Sequence, residues 1–390
     1  MSPKVARRAG IAPFYVMEVM RRAGEREAAG GDVLHLEVGQ PATGAPEPVL
    51  AAAEAALRSH RLHYTDAVGT PELRTAVARW YDERYGVAVD PGRVVVTTGA
   101  SGGCVLAFLA CFDVGDRVAV TRPSYPCYRN MLSAFGCEVV ELAVGAETRF
   151  QPTPDLLAAA HAEAPLAGVV VASPSNPTGT MLDAAALDAL ARWCDANDVR
   201  LISDEIYHGI TFGAPARTAA ASSDEAVVVQ SCSKYFSMTG WRVGWLVLPD
   251  DLVAPVERLA QNLTVAPPTL PQLAACAAFT PNALAELDGH VARYAANRAV
   301  LLDGLASLGF SKVAPADGAF YVWVDVADHL AERSLPDAEA LCADWLDRLG
   351  VAVTPGIDFD PVDGHRSVRF SIAGTTATVE AALARLATLV

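Results

Sequence analysis

Ala226-Val227-Val228-Val229-Gln230-Ser231-Cys232-Ser233-Lys234 runs directly into Tyr235-Phe236-Ser237-Met238-Thr239-Gly240-Trp241-Arg242-Val243-Gly244. The uninterrupted apolar run 226–229, closed by small polar residues, reads as a buried strand. Lys234 therefore stands just past a strand end, on a rigid support and screened from water. A lysine that loses its proton there is a nucleophile able to form a Schiff base with a bound aldehyde. Arg242 follows a short turn later, and with Ser231 and Ser233 it could grip one anion, most naturally a phosphate. A lone Ser-x-Ser-Lys is weak evidence, since a surface lysine in a serine-rich turn is the commoner case. The flanking segments decide the matter.

Upstream, the same design repeats. Residues 199–203 form an apolar strand ending at Asp204-Glu205-Ile206-Tyr207, and a carboxylate at a buried strand end caps or pairs with something. Residues 168–172 form another, flowing into Ser173-Pro174-Ser175-Asn176-Pro177-Thr178-Gly179, where two prolines hold Asn176 in one orientation. A strand over 116–121 leads to Arg122-Pro123-Ser124-Tyr125-Pro126-Cys127-Tyr128, with an aromatic near its end. The strand in 93–98 enters Gly99-Ala100-Ser101-Gly102-Gly103 and a helix to 112, a small-residue turn at a helix start that suits an anion. Neither a Walker loop nor a GxGxxG fingerprint is present, so a nucleotide is not indicated. Strands alternating with helices over 91–249, among them one at 183–196, predict a mostly parallel sheet covered by helices on both faces. Such sheets bind ligands beyond their strand carboxyl ends, where all of these residues fall.

Outside this core, residues 11–29 read as a helix and 32–38 as a short strand before Gly39-Gln40-Pro41, where a glycine permits close approach of a ligand. Helices are predicted over 47–58 and from Pro71, with His63-Tyr64-Thr65 in an exposed loop between them. Residues 261–272 read as a proline-broken loop, followed by helices to 308. The tail carries strands at 318–325, 350–354 and 367–372 and a helix at 337–349, the pattern of a small α+β domain packing back on the N-terminal segment. The expected division is a large domain, 45–289, and a small domain of 1–44 with 290–390.

The 390 residues are 52% hydrophobic, enough for two cores, and carry a formal charge of -15 that disfavours nucleic acid and anionic membranes as partners. The longest obvious apolar run, 104–112, is half a membrane span, and the N-terminus makes a poor signal peptide, so a cytoplasmic location is expected. Eight cysteines without a CxxC pair suggest neither a metal site nor a disulfide framework.

Together these motifs resemble the class I and II aminotransferases, pyridoxal 5'-phosphate enzymes of fold type I, in the family's order from about Pro13 to Ile372. Within that family the run is most similar to aspartate-like and valine-pyruvate aminotransferases. The resemblance implies that Lys234 forms the Schiff base and shuttles the proton in a ping-pong exchange of an amino group between an amino acid and a 2-oxo acid. It further implies that Asp204 pairs with the pyridinium nitrogen and maintains the ring as an electron sink. Asn176 and Tyr207 would bind the ring 3-oxygen, Tyr125 would stack on the ring, and Ala100, Ser101, Ser231 and Arg242, joined by Ser233, would cradle the phosphate. Tyr64 would reach the phosphate of a neighbouring subunit, implying a homodimer, and Arg369 would clamp the substrate carboxylate opposite the Gly39 backbone. Dicarboxylate-specific members carry a further arginine before the loop corresponding to 265–272. Here 259–264 has none, and Arg258 lies upstream. An unpaired buried carboxylate is costly, so a neutral donor such as alanine or valine, with pyruvate as acceptor, is expected. The alternatives within the fold are an aspartate aminotransferase and a β-eliminating C–S lyase. A cofactor-sensing domain of a transcription regulator lacks the helix-turn-helix and the basic face it would need.

Overall fold

In the computed structural model, which describes residues 4–389, twelve strands are numbered here in chain order. They are β1 Leu34–His35, β2 Val94–Thr97, β3 Arg117–Arg122, β4 Glu138–Ala143, β5 Gly168–Ala172, β6 Arg200–Asp204, β7 Val227–Ser231, β8 Gly244–Val247, β9 Tyr321–Asp325, β10 Val351–Ala352, β11 Thr354–Pro355 and β12 Ser367–Ser371. Seven of them form one sheet in the order β2-β8-β7-β6-β5-β3-β4. Valine-rich β2, β5 and β7 are buried on both faces because helices cover both sides, which is why they read as unbroken apolar runs.

β3 to β7 pair in parallel, whereas β8 is antiparallel to both of its neighbours, β2 and β7. The carboxyl ends of β2, β3, β5, β6 and β7 therefore share one edge, and the reversed β8 begins at that edge. This reversal returns Arg242, two residues before β8, to the place where β7 delivered Lys234. The turn between them is braced from below by Phe236, whose ring packs against Trp245 and Phe279. Gly244 sits between β2 and β7 with no room for a side chain: a Cβ there would lie 2.6 Å from the Gln230 carbonyl oxygen and 2.9 Å from the Gly99 carbonyl carbon.

Where the elements depart from expectation, local chemistry explains it. The first helix spans Tyr15–Ala28, starting past Pro13 rather than at Ile11. The strand expected over 32–38 shrinks to β1, which pairs with β10 only at Leu34↔Val351 and His35↔Ala352. The expected loop 261–272 is a correction: helix Asp250–Leu263 tolerates Pro255 and runs past Gln261, and Thr269–Ala275 is again helical. Only the segment around Pro267-Pro268 is left as loop. Two strands had not been anticipated. β4 has exposed glutamates at 138 and 141, and β8 is only four residues long.

The tail forms the antiparallel sheet β11-β12-β9, with helix Ala338–Leu349 beside it, and β10 pairs with the N-terminal segment. An ion pair from Arg22 to Asp347, 2.9 Å, ties the two chain ends together. At the seam His35 Nδ1 lies 2.8 Å from Glu37 Oε1, and Glu37 is fully buried. Hydrogen bonding to Glu37, against the cost of burial, raises the His35 pKa from 6.5 to about 9. A raised pKa means that this pair stabilises the fold fully below about pH 6.5, with the contribution lost as pH rises through about 9. Thermal unfolding of His35→Gln against the parent is therefore expected to show a gap in Tm at pH 6 that closes by pH 10. A gap that is unchanged with pH would contradict it.

Candidate active site

At the shared strand edge lies a cavity of about 380 Å3. Its walls bring together Gly39, Ala100, Ser101, Tyr125, Asn176, Asp204, Tyr207, Lys234, Arg242 and Arg369, ten of the residues singled out from the sequence, with Ser233 beside them. Ser231 is one layer behind: its Oγ lies 2.8 Å from Ser233 Oγ and donates to the Val243 carbonyl at 3.1 Å. It orients Ser233 and leaves the wall to it. Tyr64 is 82% exposed and does not line the cavity.

The chain has three lysines, Lys4, Lys234 and Lys312. Lys4 is exposed, and Lys312 is salt-bridged to Asp328 on the surface. Lys234 instead turns into the cavity, where its Nζ donates to the Gly39 carbonyl at 2.6 Å. Desolvation, followed by the charges of Arg369 and Arg242, lowers its pKa to about 8, so a useful fraction is the free amine near neutrality.

Asp204 ends β6, buried, with neutral hydrogen-bond partners: Tyr128 Oη donates to Oδ2 at 2.6 Å and the Ile206 N–H to Oδ1 at 3.0 Å. Burial pushes its pKa up despite those donors. A cation in front of this carboxyl would relieve that cost, and a protonated ring nitrogen is such a cation.

On the opposite wall the 13-residue helix Gly99–Cys111 starts without a side-chain cap and without an acidic residue in its first turn. Its first N–H groups and its dipole are therefore available to an anion. Arg242 stands beside that terminus, donating to the Thr239 carbonyl at 3.0 Å and to the Thr98 carbonyl at 3.3 Å. Gly99, at φ +73°, makes room for it, since a Cβ there would lie 2.4 Å from Arg242 Nη2. The uncapped helix, guanidinium and Ser233 hydroxyl fit a phosphate, and with the carboxylate and the amine they suit pyridoxal phosphate.

Arg369 projects from the middle of β12. It lies between the rings of Tyr321 and Phe359, at 4.4 and 4.7 Å from their centroids. One Nη donates to Asn176 Oδ1 at 3.0 Å, and the other to Thr354 Oγ1 at 3.2 Å and to the Glu37 carbonyl. Its Nε is buried without a partner. With three hydrogen bonds for its five N–H donors, the guanidinium keeps donors ready for a carboxylate. Gly39 closes this corner, because a Cβ would fall 2.1 Å from the Tyr321 hydroxyl. That hydroxyl is 2.9 Å from Tyr207 Oη.

Tyr128 and Tyr321 were missed in the sequence. Tyr128 had a faint signal, one helical turn after Tyr125. Tyr321 stands in an aromatic strand that reads as core. Arg258 lies on the exposed face of helix Asp250–Leu263 and does not line the cavity.

A doubly covered α/β sheet whose strand ends carry an amine, a carboxylate and an anion cradle defines an enzyme that works through a lysine. Residues 31–386 match the family aminotransferase class I and II, and the chain belongs to that family, whose members depend on pyridoxal phosphate. A valine-pyruvate aminotransferase from Mycobacterium tuberculosis is 55% identical over 388 residues, covering 99% of this chain and 98% of that protein. A crystal structure of an aminotransferase from the same organism superposes with a TM-score of 0.96 at 54% identity, covering 100% of this chain and 99% of the other. An aspartate aminotransferase from Thermus thermophilus with maleate superposes with a TM-score of 0.92 at 31% identity, with 100% of both chains covered.

Gly99→Ala tests the anion corner without any ligand. A left-handed alanine costs about 1–2 kcal/mol, and the displaced Arg242 adds to it. Urea unfolding should show a loss of at least about 1 kcal/mol, and a neutral outcome would mean that Arg242 is not held there.

Proposed function

We propose that the protein is a pyridoxal-phosphate-dependent aminotransferase exchanging the amino group between a neutral L-amino acid, such as valine or alanine, and pyruvate or a similar 2-oxo acid. The observation that carries the choice of substrate is the cationic inventory of the cavity. Among the described residues that line it, the cations are Lys234, Arg242 and Arg369, and each has a task. Arg242 faces the anion corner, Arg369 has its open Nε for the α-carboxylate, and Lys234 is the reactive amine. None is left for a side-chain carboxylate, which would be stranded in a desolvated site. Much of the remaining wall is apolar, with Val16, Met17, Met20, Val38 and Met131 on it, and, Asp204 aside, its other polar groups, such as Gln40 and Thr239, carry no charge. The name of the Mycobacterium tuberculosis relative points the same way.

In this reading Asp204 faces the ring nitrogen, Asn176 and Tyr207 the ring oxygen, and Tyr125 the ring face. Ala100, Ser101, Ser233 and Arg242 surround the phosphate, with Ser231 supporting Ser233. The bound cofactor supplies the electron sink for breaking bonds at the substrate's α-carbon. Arg369 orients the substrate so that its α-hydrogen faces Lys234 Nζ, and the lowered pKa lets that nitrogen accept the proton and return it. Enclosure by the apolar wall keeps water from competing. Tyr64, exposed in one chain, is assigned to the cofactor phosphate of a second subunit in a homodimer with shared sites. The large domain, 45–289, carries the cofactor, and the small domain, 1–44 with 290–390, brings Arg369. Among the described residues no helix is long and apolar enough to cross a membrane, which supports the cytoplasmic assignment.

The test is a half-reaction. Protein loaded with pyridoxal phosphate and mixed with valine or alanine, without any oxo acid, should convert the cofactor's absorption to that of its amine form, with little change on adding aspartate. Conversion by aspartate at a comparable rate would overturn the substrate assignment, and release of free ammonia would point to elimination instead. Lys234→Ala should lower turnover at least about a thousandfold, as expected for loss of a positioned acid–base group, while the protein stays folded. Arg369→Ala should lower kcat/KM at least about thirtyfold for every α-amino acid, since it removes a charged hydrogen bond worth about 2 kcal/mol. A loss confined to some substrates would move the α-carboxylate elsewhere.

A further inference from the structure

Helix Tyr15–Ala28 roofs the cavity with Val16, Met17 and Met20, yet it is thinly held. Ala23 is its one buried residue, packed with Val19 against Leu346 and Ala352, and Arg22 adds its ion pair to Asp347. These anchors, with Arg26 donating to the Asp347 and Asp32 carbonyls at 2.9 and 3.0 Å, hold its middle and its C-terminal end. At its N-terminal end Met17 is 59% exposed, and the N-cap residue Phe14 has no side chain able to accept from the free N–H groups. Those groups are orphans that a helix must satisfy from elsewhere.

They are satisfied from the far end of the chain. Asp358 Oδ2 accepts from the Val16 N–H at 3.3 Å, across 342 residues of sequence, with the Tyr15 N–H also facing it. Asp358 is itself buried and belongs to a loop clamped on the opposite side to the carboxyl end of β3. Arg122 is ion-paired to Asp360 at 2.8 Å and to Asp363 at 2.9 Å. The Ser124 N–H donates to the Phe359 carbonyl at 3.1 Å, and Arg129 donates to the Asp358 carbonyl at 2.8 Å. The next side chain, Phe359, covers Arg369, and Phe14 stacks on Tyr125 at 6.1 Å between ring centroids. The cap thus sits where the roof, the arginine assigned to the carboxylate and the loop bearing Tyr125 after β3 meet.

We propose that Asp358 is a positioning residue that caps helix Tyr15–Ala28 from the tail of the chain and so holds Val16, Met17 and Met20 over the side chain of the bound amino acid. The proposal rests on the transaminase reading for its substrate but not for its geometry. A branched apolar side chain reaches the roof and gains from its being fixed, whereas the methyl of alanine does not. Asp358 therefore sets the preference for larger apolar donors.

The experiment compares Asp358→Ala and Asp358→Asn with the parent protein. Hydrogen exchange of the purified protein, with no substrate added, should be about tenfold faster over residues 15–20 in Asp358→Ala, in the range expected for a lost cap. Residues of the central sheet should be unchanged. Asp358→Asn keeps an acceptor oxygen and should return exchange to within about threefold of the parent. In the cofactor-loaded enzyme the ratio of kcat/KM for valine to that for alanine should fall about fivefold in Asp358→Ala and recover in Asp358→Asn, a split consistent with loss of a cap. Should Asp358→Ala fail to fold, Asp358→Ser carries the same expectations, since its hydroxyl is too short for the contact. Parent-like exchange, a uniform increase throughout the small domain, or an unmoved valine-to-alanine ratio would overturn the proposal. If the parent turns over neither amino acid, the transaminase reading fails while the exchange measurement still decides the cap.

Discussion

Three cationic side chains, Lys234, Arg242 and Arg369, converge on one cavity whose only lining carboxylate among the described residues is the buried Asp204. Desolvation and repulsion by the two guanidiniums act together on Lys234, which gives way because an ammonium can shed its proton while a guanidinium cannot. Its lowered pKa is thus a consequence first of burial and then of where the two arginines stand. The same imbalance suits the cavity to anions, with free N–H groups at the uncapped helix beside Arg242 and an unpartnered Nε on Arg369. A net charge of -15 spread over the rest of the chain would repel such ligands at long range.

The fold's contribution is to hold those charges at fixed distances. Parallel strands place their carboxyl ends on one edge, and the single reversed strand, β8, brings Arg242 back to that edge. Glycines stand where backbones must pass too closely for a side chain, at Gly99 under Arg242, at Gly39 against Tyr321 and at Gly244 between β2 and β7. Arg369 comes from a separate small sheet and is fixed by ring faces on both sides. Its remaining hydrogen bonds, to Asn176, Thr354 and the Glu37 carbonyl, join three distant segments at one guanidinium. Movement of the small sheet relative to the large one would therefore be felt first at this guanidinium.

Much of this was legible from the sequence because the reactive residues sit just past apolar strands. There, small residues, prolines and glycines interrupt an otherwise continuous hydrophobic pattern. Lys234, Asp204, Asn176 and the Gly99 turn announce themselves in this way, and their order along the chain matches a known family. What escaped has a common cause: the information was not local. Tyr128 matters only because its hydroxyl reaches Asp204, 76 residues on. Tyr321 and the roof residues look like ordinary core or helix-face residues until strands and helices from opposite ends of the chain meet. β4 was hidden by its exposed glutamates, and β8 by having only four residues. The proline-rich stretch after Gln261 misled in the opposite direction, since Pro267 and Pro268 fall in the short gap between two helices and Pro271 in the first turn of helix Thr269–Ala275, where a proline is tolerated.

The measurement that bears most directly on this account is reductive trapping. The protein is incubated with pyridoxal phosphate, reduced with borohydride and digested, and the labelled peptides are identified. With three lysines in the chain the outcome is easily read. The account predicts that the label falls on Lys234, while Lys4 and Lys312, exposed and outside the cavity, stay essentially unlabelled. Label divided among all three lysines, or none on Lys234, would contradict the claim that the cavity is built around that amine.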